Sequence, residues 1–188
     1  MVIKNERILD TAAEVLSQRP DATLQSIATA AGISRTTIFH RYPTRDDLLE
    51  ALGRDALERI GGVMGRVPDE PTPGIATVMY EVTEGLMALG PRTVFLRVVP
   101  GWGNGLDTHW EQAVTPLAVY FHKLQAMGRL RGDQSARWLT ASYVGLLFAA
   151  WDEMAEGEIG ANQATRLIVQ TWSAGAGYVD VNARRHTS

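Results

Sequence analysis

Apolar positions recur at intervals of three and four along nearly the whole chain, the spacing of helices with one buried face. Ile8, Leu9, Ala12, Ala13 and Leu16 predict a first helix, which Pro20 closes. Thr23 stands where an N-cap belongs for a short helix through Ala30, with Leu24, Ile27 and Ala28 facing inward. Gly32 marks a tight turn, and Ser34 is placed to cap another short helix reaching about Arg41. Tyr42-Pro43 then interrupts the chain. Thr44 with Asp47 three residues on resembles a capping box built with the shorter acid, opening a long helix to about Val63.

The segment Arg66–Gly74 holds three of the eight prolines and reads as a surface connection. Beyond it, Ile75, Met79, Val82, Leu86 and Leu89 step along one stripe of an amphipathic helix. Val94, Phe95, Val98 and Val99 predict a short helix ended by Pro100. Trp110, Val114, Leu117, Phe121 and Leu124 predict another, with Pro116 expected to kink it. Two long helices, roughly 134–156 and 161–179, finish the chain. No stretch alternates as a strand does, so the expected fold is all-α with about nine helices. The expected division is a small unit over 1–45, a linking helix over 45–63 and a larger unit over 64–188.

Composition narrows the class. A chain of 188 residues, 45% of them hydrophobic, can bury a real core, which excludes a disordered segment. With no cysteine it is neither a disulfide-stapled module nor a holder of thiolate-bound zinc or iron–sulfur clusters. No run approaches the roughly 18 apolar residues of a membrane span, and charges come too early for a signal peptide, so a soluble, cytoplasmic protein is expected.

The net charge of −3 gives no global hint of a polyanion partner, but the local distribution does. Asp21 and Asp46 bracket a window with no acidic residue, and Arg35, His40, Arg41 and Arg45 all fall inside it. The same window holds Ala28, Gly32 and Ile38, spaced four and then six apart. That is the requirement of a helix-turn-helix: a small residue for close approach, a glycine at the turn and an aliphatic anchor on the second helix. The second helix then presents Ser34, Arg35, Thr36, Thr37 and His40, short polar or basic groups suited to base edges and phosphates.

Here the sequence resembles a known family. ILDTAAEVL, TLQSIATAAGIS, TTIFHRY and PTRDDLL are collinear with the pattern of TetR-type repressors: ILxAAxxLF, TxxxIAxxAGVS, GTxYxHF and a P-[ST]-K start to the fourth helix. The resemblance covers about fifty residues of the N-terminal part; beyond them only the layout is similar. It implies that Thr23, Thr37, Tyr42 and Arg45 contact backbone phosphates, with Arg35, Thr36 and His40 facing bases and Ser34 beside them. Phe39 stands where the family often has tyrosine, so one phenolic phosphate contact is missing. Thr36 stands where glycine is common; it either meets a thymine methyl or holds the helix slightly farther out.

A recognition helix this short reads few base pairs, at about 1–3 kcal/mol of discrimination each. Selectivity then needs two copies on half-sites about 34–36 Å apart, or a multiple of that. The candidate dimer surface is Leu139 with Ala164, Leu167, Ile168, Thr171, Trp172 and Gly175 on the final helix. Large and aromatic residues mark a candidate effector site for a mainly apolar small molecule: Met79, Leu86, Phe95, Trp102, Trp110, Leu117, Phe121, Tyr143, Leu147 and Trp151. The resemblance implies a repressor released from a palindromic operator by such an effector, acting through the helix over 45–63. No cofactor or metal is expected.

The competing readings are an enzyme, or a helical small-molecule binder without operator recognition. His109 beside Asp107 and Glu111 lacks metal-ligand spacing, the glycines of 101–105 follow a helix rather than a strand, and no G-x-S-x-G elbow occurs.

Overall fold

A computed structural model describes residues 5–72, 74–99 and 106–177. Among them are nine helices and no strand: α1 Asn5–Gln18, α2 Leu24–Ala31, α3 Arg35–Arg41, α4 Arg45–Met64, α5 Ile75–Met87, α6 Pro91–Val98, α7 Asp107–Ala126, α8 Ala136–Ala155 and α9 Ala161–Gly175. The all-α expectation holds, with boundaries within a few residues of the predicted ones. No described helix is long and apolar enough to cross a membrane.

The helices form two compact units. One combines residues up to Gly62 with Ala88–Ala113, and the other combines Val63–Met87 with residues from Val114 onward. The sequence boundary near 63 therefore marks only the first crossing of the chain, because 88–113 returns to the first unit. Periodicity shows that α6 has a buried stripe but not which helix covers it, and the partner is α1.

In the first unit α1 packs on α2 and α6, and α2 packs on α3. The predicted stripe of α1 is fully inside, together with Ile27, Ala28, Ile38, Leu48 and Leu52. Arg92 of α6 is buried beside it. Its Nε donates to Asp10 Oδ1 at 3.0 Å, Nη2 donates to the Glu6 carbonyl at 3.3 Å, and Nη1 pairs with Asp55. Asp55 also accepts from Arg59, which reaches Glu6 at 3.0 Å. A charged network thus joins α1, α4 and α6.

In the second unit α5, α8 and α9 pack on one another, and α7 buries Leu117, Tyr120, Phe121 and Leu124. The proline-rich connection is pinned to α7 and its end: Lys123 pairs with Glu70 at 2.8 Å, and Arg129 donates to the Thr72 carbonyl at 2.7 Å. Phe121 stacks on Trp172 with centroids 4.5 Å apart, Tyr143 meets the same indole edge-on, and Trp172 Nε1 donates to the Leu139 carbonyl.

Buried Thr83 donates its one hydroxyl proton to the Met79 carbonyl at 2.6 Å, so Tyr143 must be the donor in the 2.8 Å bond between the two hydroxyls. Tyr143→Phe therefore orphans nothing and should cost about 1 kcal/mol. Thr83→Val strands a buried phenol and should cost about 1–3 kcal/mol. Urea unfolding of the two variants checks this order; the reverse would mean the donor is misassigned. Burial pushes the Tyr143 hydroxyl well above the ordinary phenol value of 10.0. The folded state thus favours the neutral phenol, so this stabilisation is complete below pH 10.0 and fades as pH rises above it. Tyr143→Phe should flatten that alkaline limb.

Candidate nucleic-acid interface

Thr23 Oγ1 accepts from the Ser26 amide at 3.2 Å and starts α2. Gly32 ends it at φ +68, a left-handed conformation that costs a residue with a Cβ about 1–2 kcal/mol. The Ile33 amide then closes onto the Ala28 carbonyl at 3.0 Å, the bond of a glycine-terminated helix end. Two residues after that glycine, Ser34 Oγ accepts from the Thr37 amide at 3.1 Å and starts α3. The turn between the helices is thus fixed by one glycine and two hydroxyl caps.

Ile38 is the one buried residue of α3; Arg35, Thr36, Thr37, Phe39, His40 and Arg41 are exposed, as is Ser34 before them. Thr37 shares a 2.8 Å hydroxyl contact with Ser34. Arg35 lies over the Phe39 ring, its guanidinium carbon 5.2 Å from the centroid.

Two of the expected contact residues are engaged within the protein, Tyr42 buried and Arg45 half-exposed. Tyr42 is buried, and its hydroxyl donates to Asn5 Oδ1 at 2.7 Å; burial pushes that hydroxyl above its ordinary range. Arg45 Nε donates to the Ala22 carbonyl at 3.3 Å and its Nη2 to the Pro20 carbonyl, so it staples α4 to the loop before α2. Arg41 also reaches Asn5, at 3.3 Å. Asn5 is therefore a hub that no local pattern announced. The reciprocal box at the start of α4 forms: the Thr44 amide and hydroxyl donate to Asp47, and the Asp47 amide donates back to Thr44. These bonds hold the Asp47 carboxyl below its ordinary value.

The candidate effector residues separate. Met79, Leu86, Leu117, Phe121, Tyr143, Leu147 and Trp151 are buried in the second unit; Phe95 is buried and Trp110 half-buried in the first; Trp102 lies outside the described residues. Two polar groups of the second unit stand out, one on Tyr120, absent from the expected set, and one on Trp151, a member of it. Tyr120 OH and Trp151 Nε1 are buried without a hydrogen-bond partner. The dimer set also splits. Leu139, Ala164, Ile168 and Trp172 are buried within the single chain, while Leu167, Thr171 and Gly175 are exposed. At 100° per residue the 164-168-172 and 167-171-175 rows are neighbouring stripes, and α5 and α8 cover only the first. The exposed row borders a groove of about 280 Å³ lined by Trp138, Ser142, Leu146, Thr171 and Gly175, with Trp138 61% exposed. Among the described residues no three acidic or histidine side chains gather as a metal site would require, and His109 sits 3.4 Å from Arg54.

Known proteins are similar to this chain in sequence and fold. The family described as bacterial regulatory proteins, tetR family, matches residues 8–52. The chain is 38% identical over 94 residues to the HTH-type transcriptional repressor LfrR of Mycolicibacterium smegmatis, covering 50% of this chain and 49% of LfrR. It thus spans about half the length of that relative in the alignment. With the HTH-type transcriptional regulator NfxB of Pseudomonas aeruginosa it is 26% identical over 184 residues, 94% of this chain and 96% of NfxB. The solved structure of the TetR-like regulator LfrR from Mycobacterium smegmatis in complex with proflavine is similar at a TM-score of 0.69 and 27% identity, over 90% of this chain and 94% of that one. The family match begins at the first buried residue of α1 and ends two turns into α4. It encloses the whole helix-turn-helix, and over these residues the chain matches the tetR family of bacterial regulatory proteins.

Proposed function

We propose that this chain is a cytoplasmic transcriptional regulator that binds a palindromic DNA operator as a homodimer and is released by a small, mainly apolar effector. The observation that carries the reading is α3, a short helix held by one inward residue, whose exposed polar face lies in a stretch free of carboxylates from 22 to 45. Arg35, Thr36 and His40 face bases, and Thr23, Ser34 and Thr37 approach phosphates beside the caps that Thr23 and Ser34 form. Tyr42 and Arg45 support this surface from behind through Asn5 and the carbonyls of Pro20 and Ala22.

Pairing runs through the α8–α9 groove, where exposed Trp138 and Leu167 give a second copy apolar surface to cover. The effector belongs to the second unit, whose buried Tyr120 hydroxyl and Trp151 N–H lack partners and suit a ligand with hydrogen-bond acceptors. The LfrR structure with proflavine supports a small-molecule ligand and supplies a first probe. Such a ligand changes DNA affinity only by preferring one arrangement of the protein, typically by about 1–3 kcal/mol.

Selecting bound fragments from random duplexes tests the DNA reading. A palindrome should emerge, and affinity should fall steeply with salt as phosphate contacts release counterions. Failure to enrich any sequence, with turnover of a bound small molecule instead, would replace the regulator with an enzyme.

A further inference from the structure

We infer that Phe39 is a positioning residue that holds the Arg35 guanidinium ready for a guanine, so that each half-site carries a guanine read by Arg35. The inference rests on the DNA reading above and adds the base and the device that selects it. Arg35 is the first residue of α3, and Phe39 is one turn on, on the same face. The guanidinium lies over the ring at 5.2 Å, within the range of an attractive cation–π contact.

Nothing else among the described residues engages Arg35: it has no hydrogen bond or ion pair, and no carboxylate exists between Asp21 and Asp46 to draw it away. The other arginines of the window differ, since Arg41 donates to Asn5 and Arg45 to two backbone carbonyls. The ring contact takes up none of the guanidinium N–H groups, which have no hydrogen-bond partner among the described residues. Those groups match the O6 and N7 acceptors of guanine in the major groove, whereas adenine offers one acceptor and one donor there. Phe39 has no polar atom with which to read a base edge and is still 36% exposed, so a ring at this surface position is explained by what it carries. A long arginine fixed before contact also loses less rotamer freedom on binding.

The experiment first selects an operator with the full-length protein, then locates the position at which Arg35→Ala loses discrimination. Affinity for all four base pairs at that position is measured for the unchanged protein, Phe39→Leu and Phe39→Tyr, beside affinity for a scrambled duplex. The unchanged protein should prefer guanine, and replacing that guanine by 7-deazaguanine should remove most of the preference. Phe39→Leu should reduce the preference about three- to fivefold per half-site while scrambled-duplex affinity and thermal unfolding stay the same. Phe39→Tyr, which restores a ring, should keep it.

Full guanine preference in Phe39→Leu overturns the inference, as does a base other than guanine at the Arg35 position. A preference lost instead at a neighbouring thymine also overturns it, since the ring would then touch DNA itself. If the unchanged protein selects no sequence, the DNA reading and this inference fall together; the other outcomes remove only the inference.

Discussion

On the pairing proposed above, Trp138→Glu should leave single chains and lower affinity for a two-half-site operator by about a hundredfold or more, while affinity for an isolated half-site stays unchanged. The indole stands 61% exposed on α8 beside Leu146 and Thr171, so a glutamate there costs the isolated chain little. Its backbone amide, which Ser135 caps, is untouched by the substitution. Covered by a second copy, the same carboxylate would lose its water without a designed partner, a penalty of several kcal/mol. Sedimentation velocity and paired titrations on full and half operators measure both effects. A variant that stays paired, with undiminished full-site affinity, would remove α8 and α9 from the interface.

Arg92→Met should lower unfolding free energy by about 2–4 kcal/mol, a large share of what a domain of this size possesses. Methionine keeps the length and apolar stem of the arginine but none of its donors. The Glu6 carbonyl and Asp10 lose a partner outright, whereas Asp55 retains Arg59, which holds the expected loss below that of a fully isolated pair. Asp10→Asn, at the half-exposed end of the network, should cost well under half as much. Chemical denaturation of the two variants checks the ranking. A loss near zero for Arg92→Met would mean that apolar packing alone holds α6 on α1.

The segment from α1 to the start of α4 was legible because its determinants are local. Stripe, hydroxyl cap, left-handed glycine and reciprocal box each span nine residues or fewer. Where the partner is distant, the local pattern stops informing. Tyr42 and Arg45 look like surface contacts until Asn5, Pro20 and Ala22 arrive beside them. The rows 164-168-172 and 167-171-175 are both small or apolar at the same spacing, and only the presence of α5 and α8 decides which one goes inside. Phe95 and Phe121 read alike as large aromatics of one cluster, yet the chain returns α6 to the first unit and leaves Phe121 under Trp172 in the second.

The seven-residue α3 is anchored through Ile38 alone. Apart from Arg41, which reaches Asn5, its exposed side chains contribute little to the core, so on the DNA reading proposed above exchanging them should alter which sequence is bound while leaving the melting point close to where it was. Such a scaffold invites retargeting: new addresses can be written on one face of a single helix without rebuilding what stands behind it.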